Sequence, residues 1–227
     1  MTLLSARTMS NVIHSIEEEH KRIAHELHEG IAQTLYSVYS GLQYIENKTE
    51  DKDLCKYTSE MTLMIERTIE ELRWFSIDLY PASLSLQGAF AALRAYATIY
   101  TKTYGIEIQL LENDTKTTIS SFQETLLFRI CQDMLKAAAV YSETEKITIL
   151  FEWNSYNVNI TIFIKGIGKQ IIQSREFQEE IKKAKVKALL INSEVTHGYK
   201  EEGEISIIIS IPSGKEVIVD DKGLISG

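Results

Sequence analysis

From Ile16 the apolar positions run Ile16, Ile23, Leu27, Ile31, Leu35, Val38, Leu42 and Ile45. The later steps alternate between four and three, the period of a helix packed along a coiled-coil-like seam. A polar run, Asn47-Lys-Thr-Glu-Asp-Lys-Asp53, breaks the stripe and predicts a turn between two antiparallel helices. The stripe resumes with Leu54, Tyr57, Met61, Met64, Ile65, Ile69, Leu72, Phe75 and Leu79. Each stripe is wider than one partner helix covers, so the hairpin is expected to dimerise into a four-helix bundle.

The pattern changes at Pro81. Ser85–Tyr104 reads as a helix stopped by Gly105, a residue suited to the left-handed C′ position. Ile106–Leu111 reads as a strand. Ser120 or Ser121 is expected to cap a helix to about Tyr141, with Glu124 placed for a capping box. Lys146–Trp153 and Val158–Ile164 are β-rich and joined by Asn154-Ser-Tyr-Asn157, a hairpin signal. Glu176–Ile191 reads as a Glu/Lys-rich helix, and Glu204–Ile211 as a strand ending at Pro212. This order predicts an α+β chain whose second half is a sandwich with helices on one face of a sheet. The domain division is 1–80 hairpin, 81–85 linker, 86–213 sandwich and 214–227 tail, with some order expected around Val217–Val219.

Composition narrows the function. The chain has 227 residues, 44% of them apolar, enough to bury a core. Its 24 Lys and Arg against 32 Asp and Glu give a net charge of −8, which argues against nucleic-acid binding. Cys55 and Cys131 stand in no ligand pattern and fit a reducing compartment. No run approaches the roughly 20 apolar residues of a membrane span, and the first residues lack a signal-peptide core. A cytoplasmic protein without a sensor domain ahead of the hairpin is expected.

The informative segment is Arg22-Ile-Ala-His-Glu-Leu-His-Glu-Gly-Ile-Ala-Gln-Thr-Leu35. On an α-helical wheel His28 falls about 100° from Leu27, at the rim of the apolar stripe. Glu29 and Gln33, four apart, stack on the adjoining exposed face. A rim imidazole beside a carboxylate is a candidate nucleophile with a base or orienting partner, and a carboxamide one turn on can orient water. A lone surface histidine carries little weight, as His14, His20 and His25 on the same helix illustrate.

The segment Arg22-x-Ala24-x-Glu26-Leu27-His28-Glu29-x-x-x-Gln33 resembles the phosphoacceptor box of the nitrate-sensor and desaturase-regulator class of sensor histidine kinases, R-x-A-R-E-L-H-D-x-x-x-Q. His25 replaces the second Arg and Glu29 the Asp. Leu79-Tyr-Pro81-Ala-Ser-Leu84…Gly88…Ala92-Leu93 resembles the family linker, and Phe128-Arg129-Ile130-Cys131-Gln132-Asp133 the start of its ATP-binding N-box. The resemblance implies a dimerising hairpin followed by a sandwich of the histidine-kinase ATPase type. It also implies His28 as phosphoacceptor, Glu29 as its base or orienting group, and Gln33 as the residue that positions water.

The departures concern the nucleotide. Where the family has the Mg²⁺-binding asparagine stands Ala137, whose methyl cannot ligate a hard cation. Where an aspartate accepts from the adenine amino group stands Ile164, followed by Gly166 and Gly168 of the old motif. The glycine-rich lid is missing from 173–191, which holds no glycine. With Asp133 these positions are remnants of a decayed site. No cofactor and no metal are expected on this chain, only Mg²⁺ on a partner receiver domain.

The reading is thus a two-component protein, a pseudokinase acting by phosphotransfer in a phosphorelay, or as a phosphatase, on a response-regulator receiver domain. An ATP-dependent kinase with a divergent pocket is one alternative. A non-catalytic dimerising module is the other, with a paralogous histidine kinase as a possible further partner.

Overall fold

The computed structural model describes residues 3–113, 118–167, 169–200 and 203–212. Gly168 and the expected tail 214–227, with Val217–Val219, lie outside them.

The first rod is α1 (Leu3–His25), a π turn (Glu26–Ile31) and α2 (Ala32–Lys48), continuous in helical φ/ψ at both junctions. Asp51 caps α3 (Lys52–Leu79), its Oδ1 accepting from the backbone N–H of Asp53 at 2.9 Å and of Leu54 at 3.2 Å. Tyr80 is extended, as a residue before proline must be, and Pro81 opens α4 (Ala82–Tyr104). Gly88, at φ 83° and ψ −175°, breaks α4, and Gly105 at φ 72° ends it. Then come β1 (Glu107–Glu112), α5 (Ser121–Tyr141), β2 (Lys146–Trp153), β3 (Asn157–Lys165), α6 (Lys169–Ile172), α7 (Arg175–Leu189), β4 (Glu194–Lys200) and β5 (Glu204–Pro212).

The five strands run β1-β2-β3-β5-β4, with β1 parallel to β2 and the other pairs antiparallel. Alternation along each strand sends one set of side chains inward: Ile147, Ile149 and Phe151; Val158, Ile160, Ile162 and Ile164; Ile205, Ile207, Ile209 and Ile211. Helices α4, α5 and α7 cover that face with Leu93, Tyr96, Leu127, Ile130, Phe177 and Ile181, making the two-layer sandwich read from the sequence.

Five details depart from the expectations. The segment expected as an 81–85 linker is helical from Ala82, because Pro81 stands at the N-cap and opens α4. The first helix begins at Leu3, because Ile13 packs on the sandwich core and His14 meets Phe122 edge-on. The capping box of α5 joins Ser120 to Gln123, while Glu124 turns inward and accepts from the Ala89 N–H at the α4 break. Strand β4 escaped prediction because it is an edge strand of polar composition, Glu194-Val-Thr-His-Gly-Tyr-Lys200. Finally, Ile31 is 45% exposed and Ala32 takes the inward place at 4%, because the π turn inserts one residue into the stripe.

Candidate functional site

His28, Glu29 and Gln33 are all solvent-exposed on or just beyond the π turn. Gln33 Nε2 donates to Glu29 Oε2 at 3.0 Å, so carboxylate and carboxamide form one unit beside the imidazole. Arg22, at the head of the same segment, bridges Glu19 at 2.7 Å and Glu26 at 3.2 Å along the helix surface. Its hydrogen bond holds the Glu19 carboxyl below the ordinary range. Ala24 is buried against α3, and Ser76 Oγ donates to the Ala24 carbonyl at 3.0 Å, one turn before His28.

His25, His28 and Glu29 line a groove of about 1050 Å³ between the first rod, α3 and α4. Trp74, Ile77 and Pro81 also line it. Trp74 stacks on Tyr96 with ring centroids 5.7 Å apart, and Lys102 reaches Glu70 at 2.7 Å between α4 and α3. The groove leaves one side of His28 open.

Asp133 and Ala137, at the positions that resemble the N-box, lie on α5. Asp133 pairs with Lys187 of α7, and Ala137 is 4% exposed within the core. Ile164 is fully buried in β3, and Gly166 turns the chain after it at φ 75°. Helix α7 packs Phe177, Ile181, Ala184 and Ala188 inward, and Phe177 meets Tyr141 of α5 edge-on. The basic run Lys182–Lys187 stays on the helix surface, where Lys183 pairs with Glu180 at 2.6 Å. Among the described residues no group of His, Cys, Asp and Glu is arranged to hold a metal.

A third cluster joins the two halves and was not singled out from the sequence. Arg129 of α5 is 7% exposed and spends its donors on three elements. Nε and Nη2 reach the Glu17 carboxylate of α1 at 2.9 and 2.7 Å. Nη1 donates to the Asp78 carbonyl at 3.2 Å, and Nη2 to the Leu79 carbonyl, at the α3 C-terminus. Gln132 Nε2 adds a bond to the Asp78 carbonyl at 2.8 Å, and Lys136 pairs with the Asp78 carboxylate. A cation over terminal carbonyls satisfies orphan acceptors and opposes the helix dipole. The available signal was an arginine embedded in Leu126-Leu-Phe-Arg-Ile-Cys131, an otherwise apolar run.

Comparison with known proteins finds similarity to histidine kinases. Residues 19–84 match the family HisKA_3, described as Histidine kinase. The chain is 28% identical over 162 residues to the oxygen sensor histidine kinase NreB of Staphylococcus carnosus, covering 71% of this chain and 47% of that protein. It therefore spans about half the length of that relative. Among solved structures, Acinetobacter baumannii histidine kinase AdeS is 16% identical with a TM-score of 0.44, covering 84% of this chain and 98% of the other. The histidine kinase domain of an Erythrobacter litoralis blue-light activated kinase is 8% identical with a TM-score of 0.45, covering 78% and 96%. No helix among the described residues is long and apolar enough to cross a membrane. Residues 19–84 are thus similar to a histidine-kinase family segment, and the longer stretch of 162 residues is similar to part of an oxygen sensor histidine kinase.

Proposed function

We propose that the chain is a dimeric two-component protein that handles a phosphoryl group on the aspartate of a response-regulator receiver domain and has lost ATP chemistry. The observation that carries this reading is a contrast. His28, Glu29 and Gln33 stand exposed and organised, while Ala137 and Ile164, at the positions of the nucleotide ligands, are buried apolar core. In the transfer direction, His28 attacks phosphorus, the bond to the receiver aspartate breaks, and Glu29 holds or accepts the imidazole proton. In the hydrolytic direction, Gln33 orients a water, and the products are inorganic phosphate and free aspartate. Positioning carries most of such catalysis, with the receiver's Mg²⁺ neutralising charge. Homodimerisation is supported by exposed apolar residues at seam spacing: Ile31, Val38 and Ile45 on the first rod, and Tyr57, Met64 and Phe75 on α3.

The test supplies a phosphorylated receiver domain and follows the label. His28→Ala should abolish labelling of this protein if transfer operates. Gln33→Ala should slow phosphate loss from the receiver if hydrolysis operates. Parent-like behaviour of both variants with every receiver tried rejects the reading.

The relative's description as an oxygen sensor histidine kinase favours a second reading, ATP-dependent autophosphorylation through a divergent pocket. Calorimetric titration with Mg-ATP separates the two. A dissociation constant below roughly 100 µM, about −5.5 kcal/mol, would favour the kinase.

A further inference from the structure

The inward positions of α3 are Cys55, Thr58, Thr62, Ile65, Ile69, Leu72, Ser76 and Leu79, all buried or half-buried and spaced by threes and fours throughout. The first rod follows the same rule through Glu17, His20, Ala24 and Leu27, and again through Ala32, Leu35, Tyr39, Leu42 and Glu46. Between Leu27 and Ala32 the step is five. The backbone shows why: the Ala32 N–H bonds to the Leu27 carbonyl, five residues back, across the π turn. Residues five apart therefore share a face here, as Leu27 and Ala32 do. One position further on, His28 and Gln33 are also five apart. On an uninterrupted α-helix they would point about 140° away from each other.

We propose that the π turn Glu26–Ile31 is the positioning element of the site, holding the Gln33 carboxamide on the face of His28 so that both address one phosphoryl group. The proposal deepens the reading given above and, in its catalytic part, rests on it. The turn is bounded on one side by the Ser76 hydroxyl on the Ala24 carbonyl and on the other by the Glu29–Gln33 hydrogen bond. A site drawn on a plain α-helix joins Gln33 to Glu29 alone. The inserted residue brings it round to the imidazole as well.

Two single-residue deletions separate this role from a merely structural one. Deleting Gly30 restores the three-four alternation outright, whereas deleting Tyr36 brings Tyr39, Leu42 and Glu46 back into the phase of an unbroken α-helix that turns Ile31 inward in place of Ala32. Deleting Gly30 leaves His28 and Gln33 four apart, still on one face. Deleting Tyr36 keeps them five apart and swings Gln33 away by about one residue step, ~100°. The first readout is independent of phosphorus chemistry. Gln33→His in the full-length parent should raise Ni²⁺ affinity about tenfold or more, since two imidazoles on one face chelate. Deleting Tyr36 should erase that gain, and deleting Gly30 should retain it. No gain from Gln33→His, a substitution that needs no deletion, overturns the proposal, as does a gain that survives loss of Tyr36. The second readout is phosphate loss from a phosphorylated receiver. Deleting Tyr36 should reduce it to the Gln33→Ala level, below the rate that the Gly30 deletion supports. Equal rates in the two deletions overturn the catalytic part. A parent protein inert toward every receiver rejects the proposed function instead, and the Ni²⁺ result then decides the geometry alone.

Discussion

In the sandwich, Ile147, Ile149, Ile160, Ile162, Ile207 and Ile209 are wholly withdrawn from solvent. Along the hairpin, Ile31, Val38, Ile45, Tyr57, Met64 and Phe75 remain between 43% and 59% exposed. The two regions are built from similar apolar residues. The sandwich closes its core with three helices laid over one sheet, whereas two antiparallel helices satisfy only one face each and leave the flanking residues waiting for a partner. The difference also sorts the chemistry. On the function proposed above, the residues that would hold or orient a phosphoryl group, His28, Glu29 and Gln33, sit on the incomplete region, while Ala137 and Ile164 belong to the complete one.

The sharpest way to break this contrast is to return an acid to the closed core. Ile164→Asp should cost about 5 kcal/mol, combining the lost apolar side chain with a carboxyl buried among isoleucines. Urea denaturation would measure it, and the variant should gain no affinity for Mg-ATP. A mild loss accompanied by nucleotide binding would mean that the position still faces a usable pocket.

The joint between the regions comes next. Arg129→Ala strands the Glu17 carboxylate and the α3 terminal carbonyls, and should cost about 3–5 kcal/mol. Adding Glu17→Leu should recover part of that loss, because the uncompensated charge is then gone. Equal stability of parent and Arg129→Ala would show that the two regions hold together without it. Val38→Asp addresses the open region alone. It should weaken the dimer by about 2 kcal/mol, roughly thirtyfold in dissociation constant by sedimentation, while sandwich melting stays at the parent value.

The smallest effect concerns Glu124. Burial raises its carboxyl pKa, against the smaller opposing pull of the Ala89 N–H. A carboxyl raised in the folded state binds more protons there than in the unfolded chain. Its contribution is therefore full below the unfolded value and is lost as pH rises through the folded one. Glu124→Gln should flatten that decline above pH 4.5 in a stability–pH profile, and a profile identical to the parent's would contradict the assignment.

Much of the sandwich was legible because its strands alternate and its turns carry marked residues, such as Gly105 at φ 72° and the Asn154–Asn157 connection. The hairpin stripe was legible in period but not in phase. A wheel of fixed 100° steps cannot contain an inserted residue, so Ile31 was placed inward and Ala32 left out. Strand β4 was hidden by its own composition, since among its described side chains Val195 alone enters the core. The Arg129 cluster gathers residues 112 and 51 positions apart in the chain, a proximity that periodicity does not encode. Glu29 beside Gln33 was foreseeable because both lie on one local stretch of helix.

Among the described residues the order β1-β2-β3-β5-β4 leaves β1 and β4 as margins. An unpaired margin offers backbone donors and acceptors to any passing chain. Here β1 is bounded by Glu107 and Glu112, and β4 carries Glu194, His197, Gly198 and Lys200. Like charges meeting across two copies of β1 repel, and glycine weakens the template along β4. Sheet-to-sheet growth into larger aggregates is thereby discouraged at both margins, and the self-association proposed above is left to the helices, where it would end at a closed pair instead of continuing.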